Sequence, residues 1–249
     1  MDLKEISNFI TSSAKSLNIK KWDFGASFSN DFSVQVDKGI AKQLKASQKQ
    51  VLTLRVWNKK NLVGITTTSD LSENGLKKAL YQANLASDYG NKNELTDFSP
   101  LAKDPIKDIK QAKRSPAGIK KLLETLRFAE SELLKKHSAI KTIPYNGLSE
   151  SFYKRIYANS EGAQRSYAKS QAAIYLYARA EENNRKPRSS GSVKIGYGLE
   201  DIDINSCIDE AAEKTISHLN YSAIETGKYK ICFSPESFLT LINAFSSMF

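Results

Sequence analysis

The spacing of apolar residues along the chain predicts five helices. In each of these stretches apolar side chains recur every three or four positions, which places them on one side of a helix. The predicted helices span residues 3–19, 70–88, 116–136, 203–219 and 235–249. Ser115 before Pro116 and Ser234 before Pro235 are typical of helix starts, with serine as the cap and proline in the first turn. The predicted buried side of the second helix consists of Leu76, Leu80, Ala83 and Leu85.

Stretches rich in β-branched and aromatic residues predict strands between these helices. The predicted strands span residues 22–29, 32–37, 51–57, 62–68, 140–148, 151–159 and 166–180. The gaps between the first four are too short for parallel crossovers, so we expect a four-stranded antiparallel meander there. Residues 40–50 are more polar and are interpreted as an extension of the second strand or as a mobile connection. The predicted fold is therefore α+β, a two-layer sandwich of helices on a mostly antiparallel sheet.

Polar segments with little periodicity predict loops and a domain boundary. Residues 90–115 are rich in Asn, Lys and Asp and contain two prolines, which favours a surface loop. We therefore divide the chain into residues 1–98, a linker at 99–115, and a continuation at 116–249. Residues 183–192 are interpreted as a turn or flexible loop. The glycines of residues 191–198 precede an acidic stretch instead of a helix start, which favours turn geometry over a phosphate-binding loop.

The last stretch, residues 226–249, combines a predicted strand with a very apolar helix. Residues 229–233 alternate apolar and polar side chains, as a half-buried strand does. Apolar residues then cover most of the helix circumference, so we expect this helix to be buried. They are Phe238, Leu239, Leu241, Ile242, Phe245, Met248 and Phe249. A buried helix needs protein on several sides, so we expect a longer parent protein or a partner chain to cover it.

The charge of the chain is positive and unevenly distributed. The 249 residues include 37 Lys and Arg against 27 Asp and Glu, a formal net charge of +10. Residues 103–198 are strongly basic, whereas residues 199–249 are acidic. The basic residues occur singly or in pairs among Ser, Asn and Asp, which favours a solvated surface. The alternative is a basic binding module that contacts nucleic acid or an acidic protein.

Residues that could perform chemistry are few. His137 and His218 lie in different predicted helices, and neither has a second ligand at metal-binding spacing, although zinc needs three or four. We therefore assign no catalytic, cofactor-binding or metal-binding residues to this chain. Cys207 and Cys232 have apolar neighbours and are predicted to be buried, reduced thiols. The N-terminus has no apolar signal region and no segment is long enough to span a membrane, so we expect a cytoplasmic protein.

Four stretches in a characteristic order resemble the TldD/PmbA family. They are VDKG at residues 36–39, GITTTSDLS at 64–72, ANSEG at 158–162 and TGKYKICFSPE at 226–236. Alone, the third of these predicts only a hairpin turn in which Gly162 supplies a positive φ. The family was once named for modulation of DNA gyrase and is understood as subunits of a bacterial and archaeal zinc metallopeptidase.

The resemblance implies a function and a partner. In TldD-type subunits the helix after the last of these stretches carries H-E-x-x-x-H, which supplies zinc ligands and a catalytic glutamate. Residues 238–249 contain neither His nor Glu, so the chain resembles the PmbA (TldE) type, and its own enzymatic activity is left open. Family members also carry a β-rich C-terminal domain that this chain lacks. The implied function is a non-catalytic subunit of a cytoplasmic metallopeptidase complex acting on peptides or unfolded polypeptide. A TldD-type partner would supply zinc, and association or self-association would use the last helix.

Overall fold

The computed structural model describes residues 2–90, 98–105 and 114–248. Its helices are α1 Leu3–Ser16, α2 Glu73–Ser87, α3 Gly118–Lys135, α4 Ile204–Ser217 and α5 Pro235–Ser246, with short 3-10 helices at Pro100–Lys103 and Leu199–Asp201. Its strands are β1 Lys21–Asp37, β2 Ile40–Trp57, β3 Val63–Thr68, β4 Ile140–Asn159, β5 Gln164–Ala180 and β6 Arg188–Gly196. Parts of the predicted surface loop at residues 90–115, namely residues 91–97 and 106–113, lie outside the described residues, as do Met1 and Phe249. The chain forms two compact units, residues 1–219 and 220–249.

The six strands form one antiparallel sheet in the order β3-β2-β1-β4-β5-β6. Alternate residues of the strands pack against α1 to α4, which defines a helix face of the sheet. The opposite side is called the open face here, and it exposes Ile65, Tyr145, Tyr167 and Tyr177 among others. The predicted two-layer α+β architecture with a mostly antiparallel sheet is confirmed.

The helix face carries two apolar clusters side by side. One joins α1 and α2 to the sheet through fully buried residues such as Ile6, Leu54 and Leu80. The other joins α3 and α4 to the sheet through Leu126, Ile174 and further buried residues. Because β1 and β4 contribute to both clusters, the long strands tie the two helix pairs into one unit.

Three strands are longer than the sequence predicts. The predicted strands at residues 22–29 and 32–37 form the single strand β1, so the predicted four-stranded meander has three strands. Those at 140–148 and 151–159 likewise form the single strand β4. Residues 40–50 continue into residues 51–57 as β2, instead of extending the preceding strand or forming a mobile connection. The reason is pairing, since β1 hydrogen-bonds to β2 and β4 through its polar middle.

Two local predictions in the second half are wrong. Residues 188–196 form β6 beside β5, so much of the predicted flexible loop at 183–192 is a strand, and Gly191 and Gly196 lie within it. Helix α3 begins at Gly118 with Ala117 as its N-cap, so Ser115 does not cap it. The Ala117 N–H instead donates to the carboxylate of Glu150, which replaces the missing side-chain cap.

Predicted burial is wrong at two further places. Leu85 of α2 was expected on the buried side but is 46% exposed, because α2 presents Leu76, Leu80 and Ala83 to the core. In the second unit, residues 229–233 form no strand, and Cys232 is exposed. Helix α5 begins at the predicted Ser234–Pro235 start, and its described apolar residues are exposed on this chain, so their predicted burial would need further protein.

Candidate functional site

The hairpin between β1 and β2, in the VDKG stretch, is held by side chains from distant elements. Lys38 and Gly39 have φ values of 51° and 76°, as a two-residue type I′ turn requires. Glu130 of α3, only 4% exposed, accepts hydrogen bonds from the N–H groups of Lys38 (3.0 Å) and Gly39 (2.6 Å). Asn146 of β4 pairs with the backbone N–H and C=O of Val36. These contacts fix the backbone and give this stretch a structural role.

The ANSEG stretch is the turn between β4 and β5. The Asn159 side-chain oxygen accepts hydrogen bonds from the N–H groups of Glu161 and Ala163, and Gly162 has a φ of 90°. The predicted hairpin and its glycine geometry are confirmed. The Ser160 N–H also donates to the Trp22 carbonyl, so this turn is anchored to the start of β1.

The GITTTSDLS stretch joins β3 to α2 through close packing. A Cβ atom on Gly64 would lie 1.9 Å from the carbonyl oxygen of Ala83, so only glycine permits this approach of strand and helix. Ser72 caps α2 by accepting a hydrogen bond from the Gly75 N–H at 3.1 Å. This stretch therefore also has a structural explanation.

A polar cluster occupies the open face at the start of β1. The Asp23 carboxylate is 2% exposed and forms a two-pronged pair with the Arg55 guanidinium, whose Nε donates at 2.8 Å. This bond to Asp23 raises the pKa of Arg55. The Tyr157 hydroxyl donates to Asp23 at 3.3 Å, and burial, with the Asp23 charge, raises the pKa of Tyr157. Both carboxylate oxygens of Asp23 therefore accept hydrogen bonds from its neighbours, which favours a structural role.

A second charged cluster joins β6 to α4. The Glu210 carboxylate accepts a hydrogen bond from Ser192 at 2.9 Å and pairs with Lys194 at 2.5 Å and Lys214 at 2.6 Å. These bonds, that from Lys194 above all, lower the pKa of Glu210 to about 2. The cluster fixes the edge strand to its covering helix.

The two histidines and two cysteines are dispersed. His137 follows α3 and its Nδ1 accepts a hydrogen bond from the Ala139 N–H, while His218 is the C-cap of α4. Cys207 is buried on α4, as predicted, and burial raises the pKa of its thiol. In the parts of the chain that the structure describes, no group of three or more His, Cys, Asp or Glu side chains is placed to hold a metal.

The zinc site that the resemblance associates with α5 does not fit the residues of this helix. Between Pro235 and Ser246 the one ionisable side chain is Glu236, in the first turn. Zinc sites in enzymes use three protein ligands and an open position for water. The donor set of α5 is therefore incompatible with a zinc site formed by this helix alone.

Many basic residues of the region 103–198 are paired with carboxylates. The described pairs include Arg114 with Glu200 and Asp201, Lys136 with Asp209, Arg179 with Glu181, and Arg185 with Glu182. Such pairing lowers the positive potential that phosphate binding needs. The arrangement favours a solvated, ion-paired surface over a nucleic-acid-binding patch.

The fold and turns described above define an α+β sandwich whose open sheet face is built on long hairpins. Residues 112–219 match the model of the PmbA/TldA metallopeptidase central domain. This match, over 108 of the 249 residues, confirms the resemblance to the TldD/PmbA family. No curated protein sequence matches it at a significant level. No described helix is both long and apolar enough to cross a membrane.

Several solved structures have a similar fold. A proposed modulator of a DNA gyrase from Thermotoga maritima is 16% identical, with a TM-score of 0.74 over 91% of this chain and 50% of its own. TldE from Thermococcus kodakarensis is 15% identical, with a TM-score of 0.70 over 84% and 47%. A proposed modulator of DNA gyrase from Bacteroides thetaiotaomicron is 13% identical, with a TM-score of 0.72 over 91% and 52%. The chain spans about half the length of these proteins, and at such identity the likeness concerns the fold.

Proposed function

We propose that this chain is a non-catalytic, PmbA (TldE)-type subunit of a cytoplasmic metallopeptidase complex that acts on peptides or unfolded polypeptide. The observation that carries the proposal is the composition of α5. This helix stands where the resemblance places H-E-x-x-x-H, yet it has no histidine, and Glu236 precedes its apolar part. A TldD-type partner would therefore supply both the zinc that activates water and the catalytic glutamate.

The surface of α5 supports association with such a partner. Phe238, Leu241, Ile242 and Phe245 are all exposed on this short helix. Burying a side chain of this kind contributes about 1.5–3 kcal/mol, so covering several of them supplies a strong drive to associate. We infer that the apolar side of α5 packs against the TldD-type subunit, and that it drives self-association when that subunit is absent.

Co-expression with a TldD-type subunit encoded in the same genome tests the proposal. We expect the two chains to purify together, with zinc and peptidase activity dependent on the H-E-x-x-x-H helix of the partner. The double variant Leu241→Lys/Phe245→Lys should weaken co-purification at least about tenfold, which corresponds to the loss of about 1.4 kcal/mol. Thr240→Lys/Asn243→Lys adds the same charges at exposed polar positions of α5 and should leave co-purification unchanged.

Two results would contradict this function. One is stoichiometric zinc that stays with the isolated chain through dialysis and is lost when His137 or His218 is replaced. The other is an isolated chain that sediments as a stable monomer at micromolar concentration, binds no apolar dye and does not associate with the TldD-type subunit.

A further inference from the structure

The outer edge of β2 has no strand beside it over most of its length. β1 pairs with β2 from Ile40 to Trp57, whereas β3 pairs with it only from Leu52 to Trp57. Among the described residues, the outer side of residues 40–51 therefore faces no other strand. We call this segment the β2 edge. At about 3.3 Å per residue it presents roughly 40 Å of unpaired backbone N–H and C=O groups.

Side chains on both faces of the β2 edge are accessible to solvent. Ile40 is 71% exposed and Leu44 is 50% exposed, although β1 pairs with the segment in a regular ladder from Gln43 to Val51 and through a register shift between Ala41 and Gln43. A strand held rigid from one side and open on the other is a ready template for an additional strand. The added chain would lose conformational entropy when it becomes ordered, whereas the β2 edge would lose little because it is already extended.

The charges of the β2 edge select the kind of chain that could join it. The segment contains Lys42, Lys45 and Lys49 and no acidic residue. Lys45 and Lys49 lie on the open face, opposite Ser33 and Ser29 of β1. Two copies pairing through this edge would bring lysines together, which is unfavourable for directly opposed like charges. An acidic strand would instead place carboxylates beside the ammonium groups.

The backbone of the edge distinguishes a polypeptide from a nucleic acid. An unpaired strand edge offers N–H donors and C=O acceptors in alternation. A second polypeptide strand satisfies both kinds of group, whereas a phosphodiester backbone provides acceptors and leaves the carbonyl oxygens without donors. Polypeptide is therefore the better match for this surface.

We propose that the β2 edge binds an extended acidic polypeptide segment by strand addition, with acidic side chains beside Lys45 and Lys49 and apolar side chains beside Leu44. The preferred segment alternates acidic and apolar residues, since successive side chains of a strand point to opposite faces. The interpretation of this polypeptide as a peptidase substrate, and not as another protein ligand, rests on the function proposed above. The site itself lies on this chain and needs neither metal nor partner subunit.

Fluorescence anisotropy with the full chain tests this proposal. The probe is a labelled peptide of alternating Glu and Val, about ten residues long, which is enough to span most of the edge. We expect saturable binding that weakens with salt, together with slower deuterium exchange of amides within residues 40–51. The same probe with one central Val replaced by proline should bind at least about tenfold more weakly, because proline removes a donor and disturbs the strand.

Matched variants locate the binding site. Lys45→Glu/Lys49→Glu should lose at least about tenfold in affinity for the Glu-Val probe through charge reversal at the edge. Lys77→Glu/Lys78→Glu changes the same number of charges on the exposed side of α2 and should bind as the unmodified chain does. Circular dichroism checks the folding of both variants, and the proline probe tests the unmodified chain independently of them.

Several outcomes would overturn the proposal. If the proline probe bound with the same affinity as the Glu-Val probe, binding would be electrostatic and would not involve strand addition. If both lysine double variants lost the same affinity, the effect would come from the total charge of the chain. Tighter binding of an oligothymidylate probe, lost in Lys45→Glu/Lys49→Glu, would assign the edge to nucleic acid. The anisotropy assay contains no TldD-type subunit, so a negative result in it would not contradict the proposed complex. Conversely, if the two subunits do not form a complex, peptide binding to the β2 edge is still decided by the anisotropy assay.

Discussion

Individual carboxylates hold distant parts of the first unit together. Glu130 and Glu150 accept hydrogen bonds from backbone N–H groups, whereas Asp23 and Glu210 pair with side-chain cations. An ionised acceptor forms stronger hydrogen bonds than a neutral one. These contacts connect segments far apart in sequence, such as residues 38 and 130, so we expect the stability of the fold to depend on a few carboxylate side chains.

The Glu210 cluster gives a testable pH dependence. The folded-state pKa of Glu210 is about 2 against an ordinary value of 4.5, so the unfolded chain binds more protons between these values. The stabilisation is complete above about pH 4.5 and is lost as the pH falls towards about 2. After allowance for solvent screening we expect about 1 kcal/mol from this group.

Urea unfolding between pH 2 and 5 measures this effect through the variant Glu210→Gln. The free energy of unfolding of the variant should fall less steeply with decreasing pH than that of the unmodified chain. Glu213→Gln removes a carboxylate from the exposed side of the same helix and serves as the control. Identical pH profiles for the two variants would show that the ion pairs around Glu210 do not stabilise the fold.

At the level of elements, the β1–β2 hairpin depends on α3. The turn at Lys38 and Gly39 requires positive φ angles, which are strained for lysine, and the Glu130 carboxylate binds both of their N–H groups. Helix α3 thereby fixes the end of the hairpin that carries the β2 edge.

Replacing Glu130 by glutamine tests this dependence. The amide group has one acceptor oxygen and an NH₂ that cannot accept, so one backbone N–H loses its partner. We expect a loss of about 1–3 kcal/mol in the free energy of unfolding, measured as a lower urea midpoint at constant slope. Glu132→Gln, at an exposed i,i+3 ion pair with Lys135, should change stability by less than about 0.5 kcal/mol. Equal effects of the two changes would refute the proposed role of Glu130.

At the level of the whole molecule, the described core lies entirely in the first unit. All buried apolar residues of the described chain lie at or before Leu219, whereas α5 contributes exposed ones. Folding of the sheet and its four covering helices should therefore not require residues 220–249.

Thermal unfolding of a chain ending at Leu219 tests this independence. We expect one cooperative transition with a midpoint within about 3 °C of the full chain, a shift that corresponds to less than about 1 kcal/mol. The shortened chain should also self-associate less, because it lacks the exposed apolar residues of α5. Loss of cooperative unfolding would mean that residues 220–249 are part of the core.

The sequence by itself determined the features that depend on local spacing. Helix positions follow from apolar periodicity, and the cap at Ser234 follows from a short-range hydrogen bond. The short gaps between strands fixed the antiparallel arrangement. The resemblance to a family followed from the order of four motifs, and the lack of zinc ligands in α5 is visible in its composition.

Only the tertiary structure decided where strands continue and which side chains are buried. Residues 30–31 and 40–50 are polar enough to suggest breaks, yet they are strands because neighbouring strands supply partners for their backbone groups. Residues 229–233 alternate as a strand should, yet they form none, since no strand among the described residues pairs with them. The roles of Asp23 and Glu130 were likewise not foreseen, because their partners lie 32 and 91–92 residues away. Local pattern encodes conformational preference, whereas pairing and burial depend on contacts between segments that are distant in the chain.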